Sequence, residues 1–296
     1  MNKQSIGVLG ASSIVGGSVL QQLTSIDKNV LAFSRYPELH ASTSKDSKVH
    51  WQKLPDITDD SHNLAIESWI SLMSIWELVA LLPVMTTLGL RKLVAMSSTS
   101  KFTKANSDSD KDSEISAKLE RAEQEVGAWC EKNNVEWVIL RPTMIYGLGK
   151  DINVSTIVRF IKRFGFFPLL GAASGLRQPV HIEDVAYACV AAIDLDSFPV
   201  RSYNISGAEV LSYYEMVTRI FKFLNKKPRI VKLPLFLFKA AIAVAHVTPV
   251  LRKRFAHWTP AMAQRMNQDM AFEHSEASQD FGFNPQKFVL GPKDLN

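Results

Sequence analysis

Cysteine is scarce in this 296-residue chain: Cys130 and Cys189 are its only two, far apart and outside any CxxC or Cys/His spacing. That excludes a disulfide framework and a structural zinc site, and no metal site is expected. Long hydrophobic runs are missing as well. The longest, Leu235 to Val247, is interrupted by Lys239 and His246 and is shorter than the ~20 residues that cross a bilayer, so it reads as a buried or surface helix. The N-terminal MNKQSIGVLGASS reaches glycine and serine too soon for the apolar core of an export signal. The expectation is a cytoplasmic protein, with peripheral membrane contact left open. Negative charge is absent from one stretch: Met216 to Gln268 carries eleven Lys/Arg and no Asp/Glu, within a chain of net charge +5.

With 46% hydrophobic and 21% charged residues, the chain has ample core-forming material and too little charge for a disordered polymer. Its length suits one large α/β unit with a lesser lobe. Short apolar runs at Ser5–Leu9, Val30–Phe33, Val49–Leu54, Trp69–Met73, Lys92–Met96 and Val135–Leu140 read as strands. Between them, Ile14–Leu23, Ile75–Leu88 and Ile115–Lys132 carry helical periodicity. Such alternation is the mark of right-handed βαβ units, and the fold class is α/β, a Rossmann doubly wound parallel sheet with a smaller, mostly helical C-terminal substrate lobe. The polar piece Asn106–Glu114 reads as a solvated loop, and Val185–Ile193 with Tyr203–Ile205 as a return to the sheet. The boundaries expected are 1–150 for the dinucleotide-binding part, with 179–206 returning to it, and 151–178 plus 207–296 for the lobe. The last ~90 residues read as helical with breaks at Pro228, Pro234, Pro249 and Pro260.

The first turn, Gly10-Ala11-Ser12-Ser13-Ile14-Val15-Gly16, follows a strand and opens a helix, so its amides and the helix dipole can face a pyrophosphate. Gly10 permits the tight turn and Gly16 close packing of helix on strand, while Ser13 stands at the middle position, where glycine is usual. The alternative is a plain strand-to-helix turn. At the end of the second strand, where an acid would grip a ribose hydroxyl, the chain has Ser34 and Arg35. A guanidinium there attracts a 2′-phosphate, which favours NADP over NAD, unless Arg35 is only a solvated loop residue. Asp56 after the third strand could bond an adenine amino group or simply cap a helix.

Taken together, GASSIVG, Asp56-Ile57, the SSTS that closes the fifth strand, Arg141-Pro-Thr-Met-Ile-Tyr-Gly147, Arg177-Gln-Pro-Val-His-Ile-Glu-Asp184-Val-Ala186 and Phe281-Gly-Phe-Asn-Pro285 resemble the extended short-chain dehydrogenases/reductases. These are the NAD(P)-dependent nucleotide-sugar epimerases and dehydratases and their relatives. The resemblance implies that Thr99 is the catalytic hydroxyl. It implies that Pro142, Thr143, Met144 and Ile145 lie along the nicotinamide, and that Ile57 and Leu72 complete the dinucleotide contacts. Ser100, Tyr146 and Arg177 would meet the substrate, with Arg177 near a diphosphate. Packing is the other reading of Tyr146, and an ion pair with Glu183 or Asp184 the other reading of Arg177.

The resemblance breaks at the proton donor. The family places a tyrosine, and a lysine four residues on, at the start of the helix after the serine loop, where the lysine lowers the phenol's pKa. Aligned through Ala122-Glu123, those positions hold Ile115 and Leu119, and none of the six tyrosines lies between Thr99 and the end of that helix. Another acid must serve, and the candidates are Thr99 with a water, Lys101, Lys104 and Tyr146. His181 reads as structural. With Ser98-Thr-Ser-Lys-Phe-Thr103 after the fifth strand and Arg177-Gln-Pro-Val-His-Ile-Glu-Asp-Val-Ala186 later, the chain resembles the atypical branch of the superfamily, whose NADP-binding members include a subunit of respiratory complex I that Gln178-Pro-Val180 and Phe164-Gly-Phe-Phe-Pro168 resemble.

Two function classes follow. One is an NADP-dependent oxidoreductase or epimerase acting on a small molecule of nucleotide-sugar or other carbonyl or hydroxyl kind. The other is a catalytically silent NADP-binding protein whose basic lobe, 216–268, contacts a membrane or a protein. Nucleic acid is not an expected partner, since no recognised module appears.

Overall fold

The computed structural model describes residues 5–41, 46–53, 65–105, 110–234 and 265–295. In chain order the elements are β1 (Ile6–Leu9), α1 (Ile14–Ser25), β2 (Val30–Phe33), α2 (Glu38–Ala41), β3 (Val49–Gln52), β4 (Ser68–Ser71), α3 (Ile75–Leu78), α4 (Leu82–Thr87) and β5 (Lys92–Met96). Next come α5 (Ser100–Thr103), α6 (Asp110–Lys132), β6 (Glu136–Pro142), β7 (Ile145–Tyr146), α7 (Val154–Phe164), β8 (Phe167–Leu170), β9 (Leu176–Arg177), β10 (Val180–His181) and α8 (Ile182–Asp194). The chain continues with β11 (Ser202–Ile205), β12 (Leu211–Ser212), α9 (Tyr213–Phe223), β13 (Ile230–Leu233) and α10 (Ser275–Phe281).

Seven strands form one sheet in the order β11-β6-β5-β4-β1-β2-β3, and every neighbouring pair is parallel. The order reverses beside β1, the switch point at which doubly wound sheets open a crevice beyond their C-terminal strand ends. Strands β1, β4 and β5 are apolar runs because helices cover both faces. On one face α1 and α8 pack with Val8, Ile70 and Val94. On the other, α3, α4 and α6 pack around Trp69, Leu93 and Ile139. A separate core of Ile157, Ile161, Leu169, Val217, Phe221 and Phe288 joins α7, β8 and α9.

Three expectations need correcting. Val185–Ile193 belongs to helix α8, and only Tyr203–Ile205 lies in a strand of the sheet; α8 is apolar on most sides because it is sandwiched between α1 and the sheet. Asp110–Glu114 is the first turn of α6 and not loop: Asp110 and Asp112 favour a helix N-terminus, and Asp112 is buried with an ion pair to Lys104 at 3.1 Å. The C-terminal part is not uniformly helical, since Pro228 is followed by β13, which pairs with β8. Pro249, Pro260 and the run Leu235 to Val247 lie outside the described residues, as do Asp56 and Ile57.

Candidate active site

The first turn has the geometry an anion needs. Gly10 sits at φ +71, and a Cβ there would stand 3.1 Å from the Leu72 carbonyl carbon. A Cβ on Gly16 would lie 2.2 Å from the Ala11 carbonyl oxygen, so the helix can close on the turn only through glycine. Ser13 caps α1, its hydroxyl accepting the Gly16 N–H at 3.1 Å. With Gly16 satisfied internally, Ile14 and Val15 are the first-turn amides left for an outside acceptor. Ser12 and Ser13 are exposed, so the turn is open to solvent. Leu72 is buried at the end of β4, where its N–H donates to Leu9 O at 2.9 Å; it offers backbone and apolar surface only.

One strand over, Ser34 accepts the Tyr36 N–H at 3.1 Å and shapes the bend after β2. That bend carries Arg35 exposed. No ion pair engages Arg35 among the described residues.

Across the switch point, β5 runs into Ser97-Ser98-Thr99-Ser100. Thr99 is buried, and both its N–H and its hydroxyl donate to the Pro142 carbonyl at 3.2 Å, tying the loop to the end of β6. Beneath the loop lies Glu123, 4% exposed. It accepts the Ser97 hydroxyl at 2.6 Å, the Lys101 ammonium at 2.9 Å and the Arg141 guanidinium at 2.7 Å. Burial alone would raise the Glu123 pKa, but the bonds from Arg141, Ser97 and Lys101 outweigh it and hold the carboxyl below its ordinary value. The sequence reading used Glu123 only as an alignment anchor; its partners converge from β5, α5 and β6, which no local pattern displays.

Beyond the loop opens a cleft of about 720 Å³. Ser98, Thr99, Ser100 and Lys104 form one wall, Thr143, Met144 and Ile145 the floor, Ile152 to Phe160 of the α7 region a second wall, and Arg177, Tyr213 and Arg265 a third. Among the described residues three cations and no carboxylate line this cleft. Lys104 and Arg265 both approach Asp112, at 3.1 and 4.0 Å. Arg177 differs. At 2% exposed, it donates to the carbonyls of Leu176 at 2.6 Å, Gln268 at 2.7 Å and Arg265, and stands 5.3 Å over the Tyr213 ring. Its Nε has no hydrogen-bond partner. Burial lowers the guanidinium pKa to about 10 and raises the Tyr213 phenol to about 12.

The structure brings Thr99, Ser100, Thr143, Met144, Ile145 and Arg177 to one cleft, and leaves Pro142 behind it as the acceptor for Thr99. Tyr146 is a correction. It is fully buried, bonds Val289 O at 3.3 Å and packs edge-on to His181 and Phe288; burial raises its pKa, and it is not on the cleft wall. Arg177 pairs with neither Glu183 nor Asp184: Asp184 accepts the Gln286 N–H and Glu183 lies 3.8 Å from His181. His181 caps α8 by accepting the Glu183 N–H, a structural role. Among the acid candidates, Thr99 and Lys104 line the cleft, Lys104 paired with Asp112, whereas Lys101 is held by Glu123 and is not on its wall. Leu119 is buried in the core between α6 and the sheet, and Ile115 packs partly buried against it.

Residues 77–206 match the sequence model of the NAD dependent epimerase/dehydratase family. Over that segment the chain is similar to the epimerase/dehydratase-like, extended short-chain dehydrogenases/reductases. Over 109 residues it is 34% identical to the mitochondrial NADH dehydrogenase [ubiquinone] 1 alpha subcomplex subunit 9 of Arabidopsis thaliana, covering 36% of this chain and 27% of that one. Over 118 residues it is 25% identical to the UDP-glucose 4-epimerase of Vibrio cholerae, covering 40% and 36%. The matched segments thus span well under half the length of these relatives. Among solved structures, the UDP-glucuronic acid 4-epimerase of Bacillus cereus, in complex with UDP-glucuronic acid and NAD, superposes at a TM-score of 0.69, with 16% identity and coverage of 95% and 94%. At that identity the likeness is one of fold. Among the described residues no helix is long and apolar enough to cross a membrane.

Proposed function

We propose that the protein is an NADP-dependent oxidoreductase or epimerase whose small-molecule substrate bears an anionic group and a reacting hydroxyl or carbonyl, a nucleotide sugar being the type. The observation that carries this reading is the shared sheet edge. The open α1 turn and the Thr99 cleft lie at the C-terminal ends of β1 and β5, on either side of β4, the placement that lets one extended ligand meet both. Ile14 and Val15 hold the pyrophosphate, Ser12 and Ser13 line it, and Arg35 pairs with the 2′-phosphate, with Ser34 shaping its bend. When bound, the nicotinamide supplies hydride donor and acceptor chemistry.

The residues of the chain do the rest. Thr143 to Ile145 form the floor against which the reacting carbon is oriented. Thr99 can turn its hydroxyl from Pro142 O toward a substrate oxygen, and Ser100 stands beside it. Lys104 is the cleft-facing ammonium and the proton source where the family uses tyrosine. Arg177, in no ion pair among the described residues, meets the substrate's anionic group, as charge-assisted bonds to a desolvated guanidinium favour.

A second reading is a dinucleotide-binding protein without turnover, with a membrane or protein contact through its basic segment 216–268. It is favoured by Ile115 and Leu119, which carry no proton and pack against and in the core. The two are separated by mixing the purified protein with NADPH, following binding by fluorescence, and screening UDP-sugars and carbonyl compounds for cofactor oxidation or epimerised product. Turnover that disappears in Lys104→Met while NADPH binding persists supports the first reading. Binding without turnover across the panel supports the second, and no NADPH binding contradicts both.

A further inference from the structure

Helix α7 ends in Lys162-Arg163-Phe164, turns at Gly165 with φ +74, and passes directly into Phe166-Phe167 at the start of β8. Phe164 and Phe166 are 51% and 36% exposed. They are not loose: both pack on Phe160, at 4.6 and 5.7 Å between ring centroids, and Phe160 rests on buried Phe167 at 5.4 Å. Alongside, β13 pairs with β8 so that Val231 lies opposite Pro168, adding a third exposed apolar side chain at 45%. Exposing such groups in a fixed arrangement has a solvation cost that a soluble surface normally avoids.

The two segments that build this face carry charges of one sign. From Ile152 to Ile182, and again from Met216 to Pro234, there is no Asp or Glu. Arg163, Lys226, Lys227, Arg229 and Lys232 are all exposed. Arg163 lies 5.3 Å over the Phe164 ring and Lys232 5.0 Å over that of Tyr214, so cationic groups lie on exposed aromatic rings of this lobe. We propose that this face, built by α7, β8 and β13, docks on an anionic bilayer surface. Phe164, Phe166 and Val231 would enter the boundary between headgroups and acyl chains, while the cations pair with lipid phosphates. The absence of acids from these two segments favours a lipid surface over a protein partner, whose interfaces carry both signs of charge. Because Phe160 and Phe167 also line the cleft, docking places the cleft mouth beside the bilayer. The proposal is independent of the dinucleotide assignment.

The test is co-sedimentation of the full chain with phosphatidylcholine vesicles with and without phosphatidylglycerol. The expected result is association with the phosphatidylglycerol vesicles only, weakening as salt rises. A Phe164→Ser, Phe166→Ser double variant should weaken it by about tenfold, and Lys227→Gln or Arg229→Gln by about fivefold each, with the thermal melt unchanged in the lysine and arginine variants. Those two keep the test decisive should the phenylalanine variant fail to fold. No association with phosphatidylglycerol vesicles, equal association with phosphatidylcholine alone, or association that none of these substitutions alters overturns the proposal. So does a change of oligomeric state in the phenylalanine variant without loss of vesicle binding, which would make the face a protein contact.

Discussion

Arg141 and Arg177 are two sheltered guanidiniums whose surroundings could hardly differ more. Arg141 faces a buried carboxylate, Glu123, with Ser202 at 2.9 Å on its remaining edge. Among the described residues Arg177 is held by carbonyl oxygens and an aromatic ring with no ion pair, and its pKa drops to about 10 because burial outweighs the opposing pull of Tyr213 and Asp269. The first charge is neutralised by the fold and stiffens the loop that carries Thr99. The second is held mainly by carbonyl dipoles, and it lines the cleft. A buried cation completed by its own chain is a structural part, whereas one left incomplete at a cleft is a ligand site.

That contrast is broken or sharpened most strongly at Glu123. Glu123→Ala strands Arg141 and Lys101 together, and thermal or urea unfolding should show a loss of about 3–5 kcal/mol; a loss below about 1 kcal/mol would mean that the network does not hold the loop. Next in size is the response to acid. Because the folded-state pKa of Glu123 lies below its ordinary value, its contribution is fully present above the usual carboxylate range and is lost as pH falls through the lowered pKa. The melting temperature of the wild type should therefore fall more steeply on acidification than that of Glu123→Gln, and parallel curves would refute the assignment.

Arg177→Met belongs on the other side of the comparison. It should change stability by about 1 kcal/mol or less, yet weaken binding of UDP, followed by calorimetry, by about tenfold or more. Equal damage to folding and binding would erase the distinction between the two arginines. Smallest is Ser13→Ala, which removes the α1 cap and should cost about 1 kcal/mol in the same unfolding experiment.

The parallel sheet was legible because each buried strand is a short apolar run bounded by polar turns, and β2 and β5 coincide with the runs read from sequence. Helix α8 was not, since a helix buried on most sides is as uniformly apolar as a strand. The start of α6 was hidden because Asp112 looks solvated until Lys104 is brought to it by the tertiary fold. In the site, the glycine turn and Thr99 could be found from local order. The Glu123 network could not, because its partners are 18 to 26 residues away. Tyr146 was misplaced because a motif fixes position along the chain and not the direction of a side chain.

The measurement closest to the central claim is the affinity for NADPH and NADH of the wild type and Arg35→Ala, followed by nucleotide fluorescence. If the α1 turn cradles the pyrophosphate and Arg35 pairs with the 2′-phosphate, NADPH binds more tightly in the wild type. Arg35→Ala then weakens NADPH by about ten- to hundredfold while leaving NADH nearly unchanged. Equal losses for both nucleotides, or no binding of either to the wild type, would contradict the account.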